Sequence, residues 1–201
     1  MDSHVVGAKE PPLIEQTIGQ ALTEAAGKFE SREAVVSVHQ VVRLTYGELN
    51  DQAEAIGAGL LSLGLEPGDR IGIWAPNCVE WTIVQFATAK AGLILVNINP
   101  AYRLFELDYA LNKVACRALI LAESFKTSRY FEMIQKLAPE IVSSEPGRLK
   151  SEKLPHLEMV IGFAELIPDG FIDFSSLKGR ASQTDRDRIG ELEQSLSPFD
   201  P

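Results

Sequence analysis

Arg70-Ile71-Gly72-Ile73-Trp74-Ala75, Leu93-Ile94-Leu95-Val96-Asn97-Ile98 and Ala118-Leu119-Ile120-Leu121 are three short apolar runs, each followed by a stretch of helical periodicity. They recur about every 23 residues, the spacing that strand, turn and helix require when parallel strands are joined by right-handed crossovers. The middle run is apolar almost without interruption, which predicts a strand covered on both faces. Between the runs, Asn77 with Glu80 predicts a capped helix that ends at Gly92. A further helix from about Leu104 to Val114 sets Leu104, Leu107, Leu111 and Val114 on one side. A fourth carries Phe125, Met133, Ile134 and Leu137. The expected fold class is α/β, a parallel sheet with flanking helices.

Toward the N-terminus, Thr17 can cap a helix whose apolar face is Ile18, Leu22, Ala25 and Phe29. Ala34 to His39 and Val41 to Tyr46 are valine-rich and predict two strands folded back around His39 and Gln40. In Thr45-Tyr46-Gly47-Glu48, hydroxyl and carboxylate can each satisfy a free backbone N–H, which opens a long helix. Leu49, Ala53, Ile56, Leu60 and Leu63 form its apolar face, and Gly64 supplies a left-handed stop. Gly57-Ala58-Gly59 falls inside that helix, where glycines favour close packing, and not in the turn after a strand where a dinucleotide motif would place them.

Toward the C-terminus, Ser143 to Arg148 reads as a polar loop and Leu157 to Ile161 as one more short strand. From Leu177 to Leu196 the chain is mostly polar; Asp185, Asp187, Glu191 and Glu193 alternate with Arg186 and Arg188 as a solvated face. With no closing helix or strand expected, the chain reads as cut. Residues 1–16 read as an N-terminal extension without an apolar leader, and no run approaches the ~18 residues of a membrane span. A soluble, intracellular protein is expected.

The excess of 28 acidic over 19 basic residues, formal charge −9, argues against nucleic acid as a general partner. Cys78 and Cys116 have no metal-ligand or disulfide spacing and read as small buried hydrophobes; His4, His39 and His156 are scattered, so no metal site is expected. No GxSxG elbow is present, and Gly27-Lys28-Phe29 lacks the hydroxyl residue and leading glycine of a phosphate-cradling loop. Tyr102, Tyr109 and Tyr130 can contact a ligand, although half-buried packing is commoner. Lys126 and Arg129 follow the Ala118 to Leu121 strand, on the side where open α/β sheets bind ligands, and can hold a phosphate or serve solubility alone.

Several segments together resemble the acyl-adenylate-forming enzymes, the superfamily of acyl-CoA synthetases, luciferases and peptide-synthetase adenylation domains. These are Leu44-Thr45-Tyr46-Gly47-Glu48-Leu49, Leu60 to Ile71 (LLSLGLEPGDRI), Trp74-Ala75-Pro76-Asn77 and Ala89-Lys90-Ala91-Gly92. Within that superfamily, Val96-Asn97-Ile98-Asn99-Pro100-Ala101-Tyr102, Phe125-Lys126-Thr127 and Leu149 to Pro155 (LKSEKLP) are most similar to the mitochondrial medium-chain acyl-CoA ligases. The resemblance runs from Thr17 onward and implies that residues 17–201 are part of an AMP-binding domain, ending just before its phosphate loop.

The resemblance implies a two-step reaction: ATP, with Mg2+, and a fatty acid give acyl-adenylate and pyrophosphate, and the CoA thiol then displaces AMP. The phosphate loop, the metal-binding glutamate, the acyl tunnel and the catalytic lysine of such enzymes would lie beyond Pro201. No catalytic or metal-binding residue is therefore assigned here, and the chain alone is expected to be inactive. Lys126 and Arg129 are the residues assigned to a CoA phosphate. A mitochondrial location follows from the resemblance, and a cytoplasmic one from the lack of a transit peptide. Two alternatives stand: a non-catalytic short form that self-associates or pairs with a full-length ligase, and a ligase acting on an amino or aryl acid.

Overall fold

A computed structural model describes residues 6–7 and 10–201; His4 and most of the start of the expected extension lie outside the described residues. Residues 10–16 carry neither helix nor strand and are exposed. The first helix, α1 (Ile18–Phe29), begins at Thr17, whose hydroxyl accepts from the Gln20 N–H while the Gln20 side chain accepts from the Thr17 N–H. Its buried face is Gly19, Leu22 and Ala26, a correction to the expected face: Ile18 and Phe29 are 54% and 40% exposed. The glycine brings the helix onto its neighbours along a stripe that an apolar-residue count misses.

The hairpin β1 (Glu33–Ser37) and β2 (Val42–Thr45) folds as expected, and turns at Val41 with φ 56°. Thr45 and Glu48 form the reciprocal cap of α2 (Tyr46–Ser62), which buries Leu49, Ala53, Ile56 and Leu60. Gly64 ends the turn after it with φ +88°. At Gly59 a Cβ would run into the backbone of Leu177, so this glycine serves close helix packing.

The strands β3 (Arg70–Trp74), β4 (Ile94–Asn97), β5 (Ala118–Ala122), β8 (Met159–Phe163) and β9 (Ile172–Asp173) form one parallel sheet in the order β4-β3-β5-β8-β9. The last expected strand thus starts two residues late. β4 is an edge strand whose residues are half-buried or exposed, which corrects the expected two-sided cover. An apolar run reports burial by whatever lies near, and cannot say which strand stands at the edge.

The chain leaves β3 through α3 (Val79–Lys90) to β4, then recrosses through α4 (Leu104–Lys113) to β5 on the other side of β3. Right-handed crossovers running in opposite directions place α3 and α4 on opposite faces. α1, α2 and α3 pack together on one face with α6 (Leu177–Arg180) and α7 (Gln183–Ser195), and α4 packs with α5 (Tyr130–Leu137).

Three further expectations are corrected. The α3 cap is Cys78, without a side-chain cap bond; Gln40 of the distant hairpin turn accepts from the Val79 N–H (2.8 Å) and donates to Glu80 (2.8 Å). Phe125 lies outside the fourth helix, in a small hairpin of β6 (Ser124–Phe125) and β7 (Ser128–Arg129). The polar segment near the C-terminus is the helix α7, capped reciprocally by Ser182 and Asp185. It buries Ile189, and Glu193 is 15% exposed, so its acidic residues do not all face solvent.

Candidate functional site

In an open parallel sheet the ligand side is the carboxyl end of the strands, at the point where neighbouring connections diverge. Here that point lies between β3 and β5, because β3 connects outward to β4 and β5 to β8. The crevice is filled by the protein itself. Trp74, the last residue of β3, and Tyr130, the first of α5, are both fully buried and stack with ring centroids 3.8 Å apart.

Both rings spend their polar atoms on the loop after β4. Trp74 Nε1–H donates to the Asn99 carbonyl (3.1 Å) and Tyr130 O–H to the Pro100 carbonyl (2.5 Å). Asn99 Oδ1 accepts from the Ala101 N–H (2.9 Å), which closes the turn. A buried phenol or indole needs a partner for its O–H or N–H, so these rings hold the Asn99 to Tyr102 loop over the sheet.

The hairpin β6–β7 leaves the end of β5 beside that loop. Lys126 stands at its tip with φ 52°, exposed, its ammonium 5.1 Å from the centre of the Phe125 ring. Arg129 closes the hairpin opposite Ser124, caps α5, and is exposed. The structure therefore brings the two assigned cations onto one short hairpin on the ligand side. It adds Arg103, whose guanidinium donates to the buried Ser128 hydroxyl (2.8 Å). Applied to β4 as it was to β5, the carboxyl-end rule would have found Arg103. Its N–H donates to Glu106 (3.1 Å) at the start of α4. Three exposed cations on adjoining loops, in a chain of formal charge −9, can attract a polyanionic ligand at close range.

The three tyrosines differ: Tyr130 is buried, Tyr102 half-buried, and Tyr109 63% exposed on α4. Cys116 is buried and Cys78 half-buried, and burial pushes both thiols up to about 12, which leaves no thiolate for nucleophilic chemistry. The larger hollows lie at the opposite, amino ends of the strands. One of about 910 Å³ is flanked by Arg117, whose guanidinium joins Asp69 (2.6 Å), Glu158 (3.0 Å) and the Gly64 carbonyl (3.1 Å). That arrangement ties three strand starts together through Arg117 Nε and Nη1. Among the described residues no group of three or more His, Cys, Asp or Glu side chains stands together to hold a metal ion. No helix among them is long and apolar enough to cross a membrane.

The sequence pattern of the AMP-binding enzymes matches residues 22–170. The mitochondrial medium-chain acyl-CoA ligase ACSF2 of Homo sapiens is 39% identical over 199 residues, 99% of this chain and 32% of that protein. A putative acyl-CoA synthetase, YngI, of Bacillus subtilis is 40% identical over 149 residues, 74% of this chain and 27% of that protein. The chain thus spans about a third of the length of the curated relatives it matches. Among solved structures, the anthranilate CoA ligase AuaEII in complex with anthranoyl-AMP superposes with a TM-score of 0.71 at 19% identity, over 87% of this chain and 30% of that one. A long-chain-fatty-acid-CoA ligase, FadD1, of Archaeoglobus fulgidus gives 0.67 at 17% identity, over 90% and 33%. The two structures share the fold.

Proposed function

The chain belongs to the AMP-binding enzyme family, and from that membership we propose that its residues 17–201 are the scaffold lobe of an ATP-dependent acyl-CoA ligase, preceded by an extension at 1–16. The observation that carries this reading is the identity of about 39% to medium-chain acyl-CoA ligases, sustained over 199 residues. The substrates proposed are ATP, a medium-chain fatty acid and CoA. Carboxylate attack on the α-phosphate releases pyrophosphate and forms the acyl-adenylate; thiol attack on its carbonyl then releases AMP and forms the thioester. A mitochondrial location is proposed from the same relatives.

Within that reaction these residues bind and position. The Trp74–Tyr130 stack holds the loop after β4, Arg103 holds the hairpin through Ser128, and Lys126 and Arg129 present charge to the phosphates of CoA. The 201 residues alone form no adenylate in this reading, since they span about a third of the length of the ligases they match. The test is Lys126→Ala with Arg129→Ala in a ligase-length protein carrying this chain. Two exposed contacts of about 0.2–1 kcal/mol each give an expected rise in KM for CoA of roughly 2- to 30-fold. Fatty-acid-dependent pyrophosphate exchange should be unchanged; unaltered CoA kinetics would remove the assignment.

A second reading, a non-catalytic form that self-associates or pairs with a full-length ligase, is favoured by β4, whose outer edge has no strand partner among the described residues. Such an edge is a template for another chain. Sedimentation of the chain alone and with a full-length ligase separates the two: a stable mixed complex supports pairing, and independent sedimentation excludes it.

A further inference from the structure

The helix α7 is the most polar in the fold and buries one residue, Ile189, yet it is seated against α2 and α3. What it meets there is Lys90. This lysine stands in the last turn of α3 with its side chain fully buried. Its ammonium donates to Thr23 Oγ1 of α1 (2.5 Å), Glu54 Oε1 of α2 (3.2 Å) and Glu193 Oε1 of α7 (3.1 Å). An ammonium has three donors, and each is taken by a different helix.

The two carboxylates are unequal. Glu54 is 43% exposed and Glu193 only 15%, so the counter-charge that shares the interior with Lys90 comes from α7. Thr23 Oγ1 also donates to Glu193 Oε1 (2.5 Å), and Gln20 donates to the Glu193 carbonyl (3.0 Å). One residue of α7 thus collects polar bonds from α1 and α3, while apolar contact on this helix is centred on Ile189. Just past the helix, Leu196 covers Gly92, where a Cβ would stand 3.1 Å from Leu196 Cδ2. Leu196, Pro198 and Pro201 then wall an apolar hollow of about 360 Å³ against Ile18 and Leu93.

We propose that Lys90 and Glu193 form a charge latch that holds α7 and residues 196–201 on the protein as one strap, which detaches as a unit when the latch is lost. Charge pairing with a buried ammonium, more than apolar area, seats the strap. Removing Glu193 takes away the more buried of the two counter-charges and leaves Lys90 with the partly exposed Glu54 alone, a costly loss for a buried ammonium, and sub-global opening of a contiguous segment is the expected response. The latch is independent of the ligase reading.

Hydrogen exchange of the whole chain, with trypsin cleavage after Arg186 and Arg188, reads the strap directly. Glu193→Ala is expected to raise amide exchange across 183–195 at least tenfold and to open both arginines to cleavage, with β3, β5 and β8 unchanged. Glu193→Gln, which keeps an acceptor without the charge, should fall between wild type and Glu193→Ala. Ile189→Ala should have a smaller effect than either. Should Glu193→Ala not fold, comparison of Glu193→Gln with Ile189→Ala decides between charge and apolar seating. Unchanged exchange at 183–195 in the Glu193 variants, a rise spread evenly over the sheet, or a larger effect from Ile189→Ala overturns the latch.

Discussion

Trp74 and Tyr130 lie with their ring centroids 3.8 Å apart and their planes at 26°, closing the crevice where the sheet's connections diverge. A place that topology reserves for ligands is filled here by two side chains, and the exposed cations Arg103, Lys126 and Arg129 stand outside it on the adjoining loops.

Tyr130→Phe keeps the stack and removes the hydroxyl that donates to Pro100. The expected loss is about 1 kcal/mol, whereas Tyr130→Ala should cost about 3–5 kcal/mol. Urea denaturation read by intrinsic fluorescence separates the two; no loss in Tyr130→Phe would show that the hydroxyl contributes nothing of its own, and equal losses that the ring adds nothing beyond it.

Gly59 and Gly27 are both helical, yet their alanine variants should differ in sign. At Gly59 a Cβ would lie 2.8 Å from the Leu177 carbonyl carbon, while at Gly27 nothing stands within 4 Å. Gly59→Ala should destabilise by about 1–3 kcal/mol, and Gly27→Ala should stabilise by about 0.4–1 kcal/mol. Thermal unfolding of the pair checks both.

Gln40 caps α3 from another element, so Gln40→Ala should cost about 1 kcal/mol. Asn77→Ala, at the position where the local pattern suggests a cap, should stay within about 0.5 kcal/mol of wild type. A reversed order in chemical denaturation would restore the local cap.

Burial holds the thiols of Cys78 and Cys116 at about 12. At pH 8 both are protonated in the folded protein, and thiol-disulfide reagents should label neither until urea unfolds it. Rapid labelling of either under native conditions would contradict the burial described.

Local features were legible because their partners lie within a few residues. The caps at Thr17 and Thr45, the stop at Gly64, the strand runs and the small-residue packing at Gly59 each rest on neighbours in sequence. What the chain did not disclose depends on contact at distance. Gln40 reaches α3 across 39 positions and Lys90 reaches Glu193 across 103, and neither pair has a local signature. Strand order is set by tertiary pairing, so the edge position of β4 could not be read from its apolar run. The hairpin carrying Lys126 and Arg129 was missed as a hairpin because each strand is two residues long and its left-handed tip is a lysine, where a turn signal would be glycine or asparagine. The candidate site was legible in part: the rule for strand ends picked out two of the three cations now proposed for it, and the third, Arg103, falls to the same rule one strand earlier.

Fatty-acid-dependent exchange of pyrophosphate into ATP, measured side by side on the 201-residue chain and on a ligase-length protein carrying it, tests the scaffold role most directly. The expected result is exchange with medium-chain acids by the longer protein and none by the folded chain alone. Exchange by the chain itself, or its absence from a folded longer protein with every acid tried, would contradict the account.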